Sequence, residues 1–230
     1  ARFAVHARRI EGEFSLAERA VGAVPARSTF RLGVLTTMPS AWIATIVRQC
    51  AAHDNVQRVE WVEGRERELQ ERLRRGRLDA ALTIVRADDS RFAGEVLLTE
   101  AYALAMPASH PLAGEAEVAA AALADNVMIV RRQCEALPET SRHFTSHGVR
   151  PFFAARTTND DRALALVQAG LGVTVMPEGF TAPGVVRTRL AGFDLVRAIG
   201  ILHAGHVDAA ARADAPVLNT LRAVVPTLVA

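Results

Sequence analysis

Two stretches of this chain are built to the same plan. In each, a β-rich segment runs into a pair of threonines and then into an amphipathic helix: Arg31 to Met38 followed by Ser40 to His53, and Phe152 to Thr158 followed by Asp160 to Ala169. The first turn of a helix carries N–H groups without intrahelical partners, together with the positive end of the helix dipole. Strand, hydroxyl-bearing turn and helix N-terminus therefore make a polar cup suited to a small polar or anionic molecule. Hydroxyl residues also serve as plain helix caps, so Thr36, Thr37, Thr157 and Thr158 are read with both roles open. Two cups predict two lobes facing one cleft, an arrangement that suits binding more than covalent chemistry.

Length and composition fit that arrangement. The 230 residues are 50% apolar with a formal net charge of +2, which allows two joined lobes of about 100 residues each with proper cores. Arg, Asp, Glu or His interrupts every hydrophobic stretch before the roughly 18 residues a membrane span needs, so no membrane partner is expected. Every basic residue is an arginine, and Arg72, Arg74, Arg75 and Arg77 read as a solvated helix face rather than a phosphate-binding stripe. Cys50 and Cys134 are the only cysteines. Far apart and without a Cys-x-x-Cys or a His/Cys cluster, they form neither a disulfide scaffold nor a zinc site. This favours a reducing compartment, and a cytoplasmic location is expected. No metal or cofactor is expected either.

The chain starts at Ala1 rather than methionine, which leads us to expect something before it: a cleaved signal peptide or a whole domain. From Phe3 to Val24, small or apolar residues fall at Phe3, Ala7, Ile10, Phe14, Ala17, Val21 and Val24. Alternating steps of four and three make a heptad seam, so residues 1–25 are expected to form a linker and dimerisation helix that Pro25 stops.

A β/α alternation follows. Strand Arg31 to Leu35 leads to a helix from Ser40 to about Ala52 with Trp42, Ile43, Ile46, Val47 and Cys50 on its buried face. Strand Val56 to Val62 leads to a helix from Arg65 to Arg75 that anchors through Leu69 and Leu73 and ends at Gly76. The nearly all-apolar Leu78 to Val85 reads as a buried parallel strand. Within it Asp79 is expected to bond backbone near the preceding turn. Val96 to Met106 is one more apolar segment. The second half repeats the pattern: helix Glu117 to Leu123, strand Val127 to Val130, helix Glu135 to His147, strand Phe152 to Ala155, helix Asp160 to Ala169 and strand Gly172 to Met176. Val185 to Leu190 and Leu195 to Leu202 are extended, and a helix from about Val207 to Leu228, interrupted at Pro216, closes the chain. Crossovers between lobes are expected near Ala105 and Ala204.

Four of these pieces, in this order and spacing, resemble the effector-binding part of a LysR-type transcriptional regulator. They are Arg31-Leu-Gly-Val, Leu73-Arg-Arg-Gly-Arg-Leu-Asp-Ala-Ala, His110-Pro-Leu-Ala and Leu166-Val-Gln-Ala-Gly-Leu-Gly-Val-Thr-Val-Met-Pro177. The resemblance implies an α/β fold of two Rossmann-like lobes joined by two crossover strands, similar to type 2 periplasmic binding proteins and preceded by the linker helix. Lobe I would take residues 28–105 and 205–230, and lobe II residues 106–204. The family's winged helix-turn-helix domain has no counterpart here, so DNA binding is expected only of a longer parent protein, acting as a homodimer or homotetramer.

The resemblance also implies where a small-molecule effector sits, in accord with the rule that ligands of open α/β sheets bind outside the carboxyl ends of the strands. Thr36, Thr37, Met38 and Thr83 would line the cleft from lobe I. Arg131, Arg132, Gln133, Cys134, Thr158, Asn159, Met176 and Pro177 would line it from lobe II. Arg131 or Arg132 is suited to a bidentate grip on a carboxylate. Cys134 falls where oxidant-sensing members of the family carry a reactive thiol, and Arg131 and Arg132 are expected to lower its pKa. Nine residues on, where those sensors have a second cysteine, stands His143, which excludes a disulfide switch within this lobe.

Three readings compete. A ligand-responsive regulator leads. A periplasmic solute-binding protein shares the fold but has no need of the Phe3 to Val24 heptad, and oxidant sensing through Cys134 is a further alternative. An enzyme is not expected: there is no Gly-x-Ser-x-Gly elbow, glycine-rich phosphate loop or His-Glu-x-x-His, and the adjacent Asp160 and Asp161 at a helix start are accounted for by the dipole.

Overall fold

Glycine and leucine placement around the first strand decides how the N-terminal half packs. Strand β1 (Thr29–Leu35) lies parallel between β2 (Arg58–Gly64) and β3 (Ala80–Ile84). A side chain at Gly33 would collide with Leu78 and Leu69, so the glycine lets helix α2 (Glu66–Arg74) lie close on the sheet. In this computed structural model the described residues are 10, 29–52, 58–204 and 215–229. The expected linker helix (all but Ile10), the start of the strand at Val56 and residues 207–214 of the closing helix lie outside them.

By internal contacts the chain divides into two units, Ala1–Thr99 with Ala198–Leu228, and Glu100–Arg197, the last two residues aside. In the first unit the strand order is β2-β1-β3-β10-β4, with β10 (Val196–His203) antiparallel to β3. Strands β4 (Ala93–Pro107) and β10 each run from one unit into the other. Helix α1 (Ser40–Ala52) follows β1, and helix α5 (Pro216–Val224) packs beside it. Leu32, Ile46, Leu69, Leu73, Leu82, Ile199 and Leu221 are wholly or almost wholly buried in this core.

Helix α2 shows its sequence logic plainly. Leu69 and Leu73, one turn apart, face the core; Glu66 and Glu68 sit in the first turn and Arg72 and Arg74 in the last, matching the dipole. Gly76 adopts φ 64° just past the end. Arg74 and Arg75 pair with Glu71 on the solvent side, as a solvated arginine face should.

Several expectations need correction. Val47 is 40% exposed; α1 buries Trp42 and Ile46, with Ile43 and Cys50 partly covered. Asp79 does bond backbone, but across the sheet: its Oδ2 accepts from the N–H of Arg31 at 2.7 Å and ties the start of β3 to β1. Pro216 opens α5 in the first helical turn, where its missing N–H costs nothing. No helix spans Glu117 to Leu123. Glu117–Val118 form strand β5, parallel to β9 (Val185–Leu190), and Ala120–Leu123 make one 3₁₀ turn. Pairing with Arg189 and Leu190 overrode the alanine run's helix propensity.

In the second unit, β8 (Thr174–Pro177) and β9 are both antiparallel to β4. Strand β6 (Val127–Arg131) is parallel to β7 (Phe152–Thr157), with a bulge at Met128/Ile129, and Met128 bridges in parallel to Val173. Helices α3 (Leu137–Ser146) and α4 (Asp160–Gln168) follow β6 and β7. Gly172 is needed here, because a Cβ would stand 2.4 Å from the Val127 carbonyl oxygen. One core gathers Leu104, Met106, Leu123, Phe144 and Phe193; another gathers Ile129, Ala163, Val167, Met176 and Phe180.

Candidate functional site

Parallel strands bring their carboxyl ends to one edge, and the expected residues of the first unit meet there. In the β1/β3 register Val34 faces Leu82, so Thr83 stands level with Leu35, at the entry to the Thr36-Thr37-Met38 turn. The turn is pinned by Thr36 N–H to Gly64 O (3.0 Å) and Met38 N–H to Leu35 O (3.1 Å). The Thr36 hydroxyl donates to Glu63 at the end of β2. Thr37 and Met38 are buried. Thr83 is fully buried, and its hydroxyl has no hydrogen-bond partner among the described residues. A buried polar atom without a partner costs about 1–3 kcal/mol.

The second unit gathers its expected residues at the carboxyl ends of β6, β7 and β8. Arg131 ends β6, and its guanidinium donates to Val175 O at 3.1 Å and to Asp160 in the first turn of α4. Its side chain and that of Asp160 are 2% and 3% exposed. Arg131 thus already holds a carboxylate, one supplied by the protein. Burial opposes its charge, but Asp160 and, where it ionises, the Cys134 thiolate outweigh burial and raise its pKa. Asp160 therefore does more than complement a dipole. Arg132 is exposed, with its N–H on Thr157 O at 2.7 Å, and Gln133 is half-buried. Asn159 caps α4 through Oδ1, which accepts from Arg162 N–H at 2.8 Å. Thr158 is exposed, while Met176 and Pro177 are buried in β8. The Thr157 hydroxyl accepts from Asn159 N–H at 3.0 Å, a local turn bond.

Cys134 departs from expectation. Burial pushes its thiol up to about 11, and the nearby Arg131 only partly offsets that. Its sulfur accepts from Ala136 N–H at 3.3 Å. A protonated thiol at neutral pH is a poor nucleophile.

Residues 24–223 match the family of the LysR substrate binding domain. The chain belongs to this family. Its fold is the mixed α/β, type 2 periplasmic-binding-protein-like fold of LysR regulatory domains. It is 30% identical over 168 residues to a probable hydrogen peroxide-inducible genes activator of Mycobacterium avium, an alignment covering 72% of this chain and 54% of that protein. The chain spans about half the length of the curated relatives it matches. Among solved structures, the C-terminal domain of a probable LysR family regulator from Rhodococcus sp. RHA1 superposes with a TM-score of 0.70 at 22% identity, covering 87% of this chain and all of that one. The BenM effector binding domain with its effector benzoate gives 0.65 at 20% identity, over 88% of this chain and 94% of that one.

Sequence reasoning missed a charged cluster inside this LysR domain. Arg197 Nε donates to Glu100 at 2.8 Å and Nη1 to Glu135 at 2.6 Å. The other oxygen of Glu100 accepts from Gly179 N–H at 2.7 Å, and the Tyr102 hydroxyl donates to Glu135 at 2.6 Å. Burial pushes the Glu135 carboxyl up, but Arg197 and the Tyr102 hydroxyl outweigh it and hold it below the usual range. Burial, then Glu135, keep the Tyr102 phenol protonated. The signal was present: Glu100 and Arg197 are charged residues within strands, and Tyr102 is the only tyrosine. The cluster fixes the loop that carries Cys134 and Glu135 to β4 and β10.

Proposed function

We propose that this domain senses a small anionic effector through residues at the carboxyl ends of β1 and β3 in the first unit and of β6, β7 and β8 in the second. In a longer parent protein, a dimer or tetramer in the cytoplasm, effector binding changes how a DNA-binding domain engages its promoter. The observation that carries this reading is the convergence of Thr36, Thr37, Met38 and the partnerless Thr83 hydroxyl on one strand edge. Family membership and the benzoate effector of the related BenM domain support it. Such a switch requires the effector to favour one conformation over another, since equal affinity shifts nothing. The role is recognition, not catalysis.

A thermal-shift screen of small carboxylates against the wild type, Thr37→Val and Thr83→Val tests it. A carboxylate should raise the melting temperature of the wild type and lose that effect in both variants; if every acid leaves all three proteins unmoved, the reading fails. The name of the Mycobacterium avium relative favours a second reading, oxidation of Cys134 to a sulfenic acid by peroxide with release of water. The half-buried thiol, with its pKa raised, weighs against it. Mass measurement after peroxide treatment decides: one oxygen gained at Cys134 at neutral pH within seconds supports sensing, and an unmodified thiol removes it.

A further inference from the structure

Helix α3 covers the β6–β7 pair incompletely, and its sequence explains why. Leu137, Thr140, Ser141, Phe144 and Thr145 recur at helical spacing on one face, yet three of the five are small hydroxyl residues where close packing calls for leucine or isoleucine. The helix buries only His143 and Phe144. Beneath it lies a cavity of about 460 Å³, wholly inside the second unit, within the size range of small-molecule sites.

The lining of this cavity combines apolar and basic side chains. Ile129, Val130, Phe144 and Phe153 give it aliphatic and aromatic walls. Ser141 and Thr145 supply hydroxyls for which no protein hydrogen bond is found among the described residues. Arg150 and Arg156 stand at exposed positions of the lining, and neither pairs with a carboxylate among the described residues. Arg156 instead lies 5.6 Å over the Phe153 ring. No aspartate or glutamate lines the space. Two unmatched guanidinium groups beside an apolar hollow are complementary to a molecule with an anionic head and a greasy body.

We propose that this cavity is a second binding site for an amphipathic organic anion, an aryl or alkyl carboxylate. At roughly 30 Å³ per water-sized group, about 15 heavy atoms fill it. The apolar body lies between α3 and the β6–β7 pair, and Arg150 and Arg156 take the carboxylate. The site needs no residue of the first unit, so it does not depend on the strand edge of β1 and β3. It touches the carboxyl end of β6 through Arg131 and Cys134, which also line the cavity, so its occupant bears on the loop that follows β6.

Calorimetric titration of the whole chain with 2-naphthoate and with decanoate tests the site. The variants are Ser141→Phe, which fills the cavity, and the exposed double change Arg150→Gln/Arg156→Gln, which leaves the core untouched; circular dichroism confirms that each folds. Both acids should bind the wild type. Ser141→Phe should abolish binding, and the double change should weaken it ~10-fold, while uncharged 2-naphthamide should bind the double variant and the wild type alike. The proposal is overturned if neither acid binds, if both variants bind as the wild type does, or if Thr37→Val abolishes binding while Ser141→Phe keeps it, which would move the ligand to the strand edge.

Discussion

Replacing Arg197 with methionine strands two buried carboxylates. In the wild type the guanidinium and the Glu100 side chain are 2% and 0% exposed, and Glu135 is 12% exposed. Removing one member of such a cluster costs about 3–5 kcal/mol because uncompensated charge remains inside. Glu100 keeps its bond from Gly179 N–H and Glu135 keeps the Tyr102 hydroxyl, so the loss should fall near the lower end, about 3 kcal/mol. For a chain of this size that is a drop of roughly 6–12 °C in Tm. Urea unfolding followed by far-UV circular dichroism at pH 7 and pH 4 measures it. The sign of the pH effect follows from Glu135. Its folded pKa is held down, so its contribution is present above the unfolded value of about 4.3 and is lost as the pH falls through the folded value. In Arg197→Met burial becomes the chief influence on Glu135, which then protonates readily in acid. The gap between wild type and variant should therefore be wide at pH 7 and narrow at pH 4. A loss below about 1 kcal/mol at pH 7, the worth of an exposed pair, or a gap that ignores pH, would refute the reasoning.

Two further outcomes follow from local geometry. Cys134 should react slowly with iodoacetamide at pH 7 in the folded protein, with its rate rising toward a half-maximum near pH 11; because the folded pKa is raised, the associated stability is full below the unfolded value of about 8.5 and falls as the pH climbs through 11. A half-maximum near pH 7 would mean the surroundings of the half-buried thiol do not raise its pKa. Gly200→Ala should cost at least about 2 kcal/mol in chemical denaturation, since the new Cβ would stand 2.0 Å from the Glu95 carbonyl oxygen and backbone cannot yield as a side-chain tip does; an alanine variant as stable as the wild type would contradict that contact.

Much of this architecture was legible because period and punctuation agreed. Ser40–Ala52 is the helix its pattern predicts, and Leu69, Leu73 and Gly76 mark α2 as both sequence and structure have it. The Glu117 to Leu123 segment was misread because its decisive partner, β9, lies some seventy residues away and leaves no local trace. The same holds at the site. The strand-edge threonines could be found from strand-turn-helix spacing, which is local. The pairing of Arg131 with Asp160, separated by 29 positions, and the Glu100–Arg197–Glu135 cluster depend on strand order, and no local pattern encodes which buried charge meets which. The Cys134 pKa shows a related limit: proximity to arginines in sequence argued for a lowered value, whereas desolvation in the packed unit dominates.

The bond between Arg131 and Asp160 ties the charge at the end of β6 to a single acid in the first turn of α4. Under the proposed function, while the acid at 160 occupies the guanidinium, an incoming molecule would meet a neutralised end of β6 and be chosen by hydroxyls, backbone and shape. Exchange of that one aspartate for asparagine would unmask a full positive charge on the same scaffold. A domain descended from this one would then acquire a taste for more strongly anionic metabolites without altering a single residue that faces them.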